Sequence, residues 1–334
     1  MSLNMRLTAA LCTRDRPEEL RRALASLLAQ TEPPDEILVV ENAPRDGRVR
    51  EMIERELPGV HWTPEPVPGL DFARNRALAV ATGDLVAFLD DDAVAEAGWA
   101  AALRKPFADP RVGAVTGRVE ALATETAGQR LVEANGGYSR GMRRIRLPED
   151  ASLPLHGRRA PLIAWAVSVG SGCSLAVRRS LLLAIGGFDE ALDLGAELPG
   201  GGDHDALWRV LEAGSSVVYE PAALARHEHR RDLAAAGRQI VGHQRALVAF
   251  LVKSLRRARG RRRLGILLFL LWRLGKPLAR LARRVAGRDP LPAPLLLRLL
   301  AGCWAGLWAY PAARRTAARR RRRSLPWSTS PTLS

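Results

Sequence analysis

A chain of 334 residues, 47% of them hydrophobic, can bury one large core with an appendage or two cores, and its composition excludes a disordered or fibrous protein. The net charge of +16 is split: residues 1–230 carry 27 Lys and Arg against 33 Asp and Glu, whereas residues 231–334 carry 24 against 2. Cys12, Cys173 and Cys303 are too widely spaced for a disulfide framework or a metal-ligand motif, which makes a reducing compartment the expectation.

At the start, the apolar stretch 7–12 is too short for a signal sequence and the charged Arg14, Asp15 and Arg16 follow it, so a cytoplasmic body is expected. Residues 6–13 read as a buried strand, followed by a helix over 17–30. Pro17 suits a first helical turn, Asp15 can cap it, and Glu18 and Glu19 complement its positive end. A second strand (36–41), an amphipathic helix (48–57), a short strand (60–63), a helix (72–81) and a strand (84–89) follow. Such alternation implies βαβ units and a mostly parallel sheet, with ligands bound at the carboxyl ends of the strands. Asn42, the loop 13–16 and Asp90 to Asp92 lie at such ends. The next part is less regular. Residues 112–119 and 162–169 read as strands with a basic loop (Arg140, Arg143, Arg144, Arg146) between them. Residues 178–185 and 205–213 read as helices, and 216–219 as a short strand.

The run Leu85-Val86-Ala87-Phe88-Leu89 ends on Asp90, Asp91 and Asp92. Three adjacent carboxylates repel one another and desolvate poorly. A divalent cation removes that cost, because carboxylate oxygens suit Mg²⁺ or Mn²⁺, which also hold phosphate. The alternative is a solvated acidic turn. Together with its upstream residues, the string ARNRALAVATGDLVAFLDDD resembles the metal-binding region of family 2 inverting glycosyltransferases. LCTRDRPEELRRALASLLAQ, EILVVENA, GGFDE and GGGDHDALWRVLEAG extend the resemblance over residues 5 to 230.

The resemblance implies an α/β fold of GT-A type, with a mostly parallel central sheet flanked by helices, and a nucleoside-diphosphate-sugar donor. It makes Asp90 the acid near the donor ribose, Asp91 part of the donor-binding loop, and Asp92 the direct metal ligand. Thr13, Arg14, Asp15 and Glu41 take contacts to base and ribose, although the family more often has Asp at the position of Glu41. Arg74 and Asn75 orient the acidic loop or touch the diphosphate; a surface salt bridge is the other reading for Arg74. Aligning on Asp205, Trp208 and Arg209 puts Gly202 where the family carries Glu and Asp203 where it carries Asp. Asp203 is then the base that takes the acceptor's proton, with Asp205 as rival and a helix cap as the bland alternative. His227 is a candidate metal ligand, with His229 its near neighbour. Trp165 and Trp208 read as core rather than sugar platforms.

Beyond residue 230 the character changes. Residues 239–255 read as one helix leading into the Arg-rich stretch 256–263. Two apolar runs follow, 264–275 (broken by Arg273) and 291–310 (interrupted by Arg298, with Trp304 and Trp308). A spanning helix needs about twenty mainly apolar residues without buried charge. Interfacial helices with Arg flanks and Trp anchors, drawn to an anionic membrane surface, fit better. Apolar runs between the Arg clusters argue against nucleic acid; a homodimer through the C-terminal helices is the other reading. Residues 314–334 are expected to be disordered.

The sequence therefore divides into a GT-A domain (1–230), a helical basic region (231–313) and an Arg-rich tail (314–334). It reads as a metal-dependent inverting transferase on the inner face of a membrane, acting on a sugar or lipid-linked acceptor in envelope or polysaccharide synthesis. A nucleotidyltransferase of related fold predicts a Gly-rich loop after the first strand, where Thr13 to Arg16 stand instead. A non-catalytic membrane scaffold predicts loss of the acids, which are present.

Overall fold

The computed structural model describes residues 5–323. Its first half follows the expected alternation: β1 (Leu7–Thr13), α1 (Pro17–Leu28), β2 (Glu36–Asn42), α2 (Arg48–Glu56), β3 (His61–Glu65), α3 (Leu70–Val80) and β4 (Leu85–Asp90). β3, β2, β1 and β4 lie side by side and parallel. Both faces of β1, β2 and β4 are covered, which is why these three read as nearly unbroken apolar runs, whereas β3 at the edge is half-exposed and polar. Ala9, Leu11, Val39, Ala87 and Leu89 point to α1 and α2, while Ala10, Leu38, Val40, Val86 and Phe88 point to α3. The side-chain period of two puts alternate residues into separate cores.

Past β4 come β5 (Ala93–Ala95), α4 (Trp99–Arg104), β6 (Val112–Ala121), α5 (Ala127–Ala134), β7 (Ile145–Leu147), α6 (Leu162–Val169), β8 (Ser174–Arg178), α7 (Arg179–Ala184), α8 (Gly202–Glu212) and β9 (Ser216–His227). The sheet runs β3-β2-β1-β4-β8-β6-β9-β5, with β7 on β9; β8 is antiparallel to both β4 and β6. Residues 162–169, expected as a strand, form α6. An eight-residue apolar run does not distinguish strand from buried helix, and here Trp165 and Ala166 share a core with Ala206 and Leu207 of α8. The neighbouring SLAVR supplies the strand instead. β9 also outruns the expected 216–219: Pro221 falls where the register with β6 shifts, so the ladder resumes beyond it. Asp15 does not cap α1, whose N-cap is Arg16; its carboxylate accepts from the Arg45 amide instead.

Three long helices close the chain: α9 (Leu233–Arg257), α10 (Gly260–Val285) and α11 (Ala293–Arg323). Asp232 caps α9 through the Ala235 amide at 2.7 Å. Leu247, Val248, Phe250 and Leu251 of α9 enter the same core as β4 and α8. Lys253 is buried between Asp189 and Asp205, 2.5 Å from each. Leu295, Leu296 and Leu299 of α11 pack on Ile240 of α9. The arginine-rich stretch expected to be disordered from 314 is helical to Arg323; residues 324–334 of that expectation lie outside the described ones. Among the described residues one helix, Ala293–Arg322, is long and apolar enough to cross a membrane.

Candidate active site

The acidic loop follows β4 at the carboxyl end of the parallel strands, beside the end of β1, where Cys12 pairs with Asp90. Asp91 is buried, accepts from Thr13 Oγ1 at 2.7 Å and lies 3.2 Å from Arg16. Burial pushes its carboxyl up to about 6 against the pull of Arg16. Asp90 is raised by burial and then by Asp92. Asp92 goes the other way. Burial raises it, but a hydrogen bond and charge from His227, with Arg16 behind, hold it down at about 2.

Sheet pairing brings His227 to this loop. β5 runs antiparallel to β9 with Ala93 opposite His227, and the Glu228 amide donates to the Asp92 carbonyl at 2.8 Å. His227 Nε2 thereby sits 3.3 Å from Asp92, while its Nδ1 faces His229 Nδ1 at 3.1 Å. His229 turns its other nitrogen to Glu133 at 2.8 Å. Of the two histidines, His227 thus joins the acids and His229 backs it. Ligand atoms of Asp90, Asp92 and His227 all lie within 4.8 Å of one another. Two carboxylates and an imidazole fit Mn²⁺ or Mg²⁺, and the mutual repulsion of Asp90 and Asp92 gives a cation something to relieve.

Asp90 and His227 open into a cleft of about 720 Å³ that also holds Arg74, Asp193 and Asp203. Asp203 stands in the first turn of α8, after Gly200 and Gly201, whose φ values of 135° and 96° are open to glycine at little cost. Its carboxylate accepts from the Gly172 amide at 2.8 Å and the His204 amide at 2.7 Å. Burial would raise its pKa, but His204, Arg74 and those amides outweigh it and leave it below the usual carboxylate range. Asp205, its rival in the sequence, faces the core, where Lys253 and Arg209 hold it.

Arg74 is buried and joins Asp71 at 3.1 Å to Asp193 at 3.5 Å. Asn75 does not line the cleft; its amide grips the backbone of Phe188 in the GGFDE turn, donating at 3.0 Å and accepting at 2.7 Å. Glu41 is fully buried at the end of β2, with one oxygen on Trp62 Nε1 at 3.0 Å and the other without a hydrogen-bond partner among the described residues. Arg14 and Asp15 sit in the loop between β1 and α1. Trp165 and Trp208 are both buried, as core residues are.

Three features escaped the sequence reading. Arg16 pairs with the acidic loop. Asp193 lines the cleft with its carboxyl at about 6, lifted by burial against the pull of Arg74. The third is a whole wall of the cleft, to which α9 and α10 contribute His243, Gln244, Arg273, Lys276 and Arg280. No motif marks these, since they meet the body only through tertiary packing.

The sequence profile described as Glycosyl transferase family 2 matches residues 8–186. The chain belongs to glycosyl transferase family 2. A pre-mycofactocin glycosyltransferase of Mycobacterium tuberculosis is 31% identical over 233 residues, which are 68% of this chain and 43% of that protein. The O-antigen biosynthesis protein RfbC of Myxococcus xanthus is 30% identical over 184 residues, 53% of this chain and 14% of its own. The chain therefore spans less than half the length of either relative. Among solved structures, the mannosyltransferase PcManGT from Pyrobaculum calidifontis, in complex with GDP-Man and Mn²⁺, superposes with a TM-score of 0.57 at 22% identity, covering 96% of this chain and 88% of that one. GalNAc-T7 with UDP, GalNAc and Mn²⁺ superposes with a TM-score of 0.52 at 16% identity, covering 69% and 44%. This family 2 chain thus has the GT-A fold.

Proposed function

We propose that the chain is a metal-dependent inverting glycosyltransferase that moves a sugar from a nucleoside-diphosphate-sugar to an acceptor hydroxyl. The observation that carries this reading is the convergence of Asp90 and His227 with Asp203 in one cleft. Asp90, Asp92 and His227 would hold the Mn²⁺ or Mg²⁺, which when bound neutralises the diphosphate and makes the nucleotide a better leaving group. Thr13 and Arg16 fix the acidic loop. Asp203, ionised and clamped by two amides, takes the proton of the acceptor hydroxyl. Glu41, with one buried oxygen that accepts no hydrogen bond among the described residues, suits a ribose or base contact at the end of β2. Asp193 offers a second assignment of the base, since it lines the same cleft and its carboxyl lies nearer neutrality.

The test is a thermal-shift series of nucleoside diphosphates and their sugars, each with and without Mn²⁺, followed by the anomeric configuration of the product. Metal-dependent stabilisation by one nucleotide, lost in Asp92→Asn, supports the reading; none from any nucleotide sinks it. Turnover of Asp203→Asn and Asp193→Asn separates the two bases.

The membrane role proposed for residues 231–313 is supported by exposed apolar side chains. Leu264, Leu268, Leu271, Trp272 and Leu278 stand along α10, and Leu297, Trp304 and Trp308 along α11, between arginine clusters. Co-sedimentation with anionic but not neutral vesicles would bear it out. An envelope or glycolipid acceptor is part of this proposal.

A further inference from the structure

The wall of the cleft built by the C-terminal helices is cationic, and among the described residues Asp289 is the acid that pairs with its cations. Arg273, Lys276 and Arg280 lie three and four residues apart, on one face of α10, and all line the cleft. Asp289 serves Arg280 at 2.8 and 3.0 Å and is shared with Arg283 at 3.3 Å. Arg273 is hydrogen-bonded to the Gln244 side chain, and its Nε is buried without a hydrogen-bond partner among the described residues. Lys276 sits 5.3 Å over the Trp272 ring and meets no carboxylate among the described residues. Arg140, from the loop before β7, adds another cation to the cleft and finds the carbonyls of Gly137 and Ser139 but no acid among the described residues.

Half-buried cations without counter-charge are costly, and the cost shows in their protonation. Burial, and then Arg273, Arg280 and Arg283, push Lys276 down to about 8; only Asp289 works the other way. Burial also brings Arg273 down to about 10. An anion on this wall would reverse the imbalance. The acids of the cleft, Asp90, Asp193 and Asp203, come from the body, so the two walls differ in sign.

We infer that Arg273 and Lys276 form an anion subsite on the α9–α10 wall, and that the acceptor carries a phosphate or carboxylate besides its reacting hydroxyl. This deepens the transferase reading and rests on it only for the word acceptor. The two possible sources of the group, a free phosphorylated or carboxylated molecule and a lipid headgroup, share this chemistry.

The test uses the full chain and titration calorimetry. Inorganic phosphate and a C10 alkyl phosphate are titrated into protein alone and into protein saturated with the stabilising nucleotide and Mn²⁺. The expected result is phosphate binding that persists with nucleotide present, weakens about tenfold or more in Lys276→Gln, and returns in Lys276→Arg. Nucleotide affinity should stay the same in all three. Tighter binding of the alkyl phosphate assigns the subsite to a lipid; equal binding assigns it to a soluble acceptor. Phosphate displaced by nucleotide would overturn the inference by giving the cluster to the donor, and so would affinity unchanged in Lys276→Gln. If no nucleotide binds yet phosphate binding still depends on Lys276, the subsite stands and the transferase reading falls.

Discussion

Gly202 and Asp71 contend for one space: a Cβ built on Gly202 would fall on the Asp71 carboxylate. Asp71 is fully buried on α3, held by Arg74 through one oxygen, while the other has no hydrogen-bond partner among the described residues. Burial raises its pKa well above the usual carboxylate range. At the position where the resemblance leads one to expect Glu, this chain has Gly, and the Asp71 carboxylate of α3 occupies the space beside it.

Gly202→Ala should therefore destabilise the protein by about 1–3 kcal/mol, the usual cost of overpacking. In an Asp71→Ala background the same change should be close to neutral, because the obstructing carboxylate has gone. Urea midpoints of the two singles and the double measure the coupling; additive effects would deny the shared space.

The carboxyl of Asp193 has a folded pKa of about 6 against an ordinary 3.8. A raised folded pKa means that its contribution is fully present below pH 3.8 and is lost as pH rises through about 6. Asp193→Asn, which cannot ionise, should be more stable than wild type at pH 8, by at most about 3 kcal/mol. The difference should vanish toward pH 4. Unfolding midpoints from pH 4 to 8 without added metal test this, and an Asn variant less stable at pH 8 would mean that the attraction of Arg74 prevails.

Asp92→Asn should abolish measurable Mn²⁺ binding. His229→Gln should weaken it about tenfold, because His229 orients the His227 ring from behind rather than ligating. Titration calorimetry with Mn²⁺ compares them; equal losses would give His229 a place among the ligands.

Lys253→Met removes the cation shared by Asp189 and Asp205, leaving Asp205 with Arg209 alone and Asp189 with the Tyr310 hydroxyl. A loss of about 3–5 kcal/mol is expected. Asp205→Asn should lower the unfolding midpoint while turnover per folded molecule changes little. Asp203→Asn should leave stability nearly intact and lower turnover at least about 100-fold. Reversed outcomes would exchange the roles of the two aspartates.

Much of the fold was legible because its first ninety residues obey local rules. Buried parallel strands announce themselves as apolar runs, and Pro17 with Glu18 and Glu19 marks the start of α1. The acidic loop was legible because three carboxylates at a strand end need an explanation. Residues 162–169 were misread because eight apolar residues suit either state, and the partner that chose between them, α8, lies forty residues on. Asp193 was overlooked because burial and the distant Arg74 set its environment, and neither is written in the residues around it. Lys253 and Lys276 looked like parts of a basic tail, and only long-range packing turns one into a core cation and the other into a cleft wall.

The pairing of β5 with β9 sets a timetable for biosynthesis. A chain emerging from the ribosome presents Asp90 and Asp92 early, but His227 arrives only after the rest of the sheet has been synthesised. A nascent or prematurely terminated chain has Thr13 and Arg16 to hold the acidic loop but lacks the imidazole that stands beside Asp92. If Asp90, Asp92 and His227 hold a cation as proposed, the site would be a late checkpoint, closing only on molecules whose last strand has found its place.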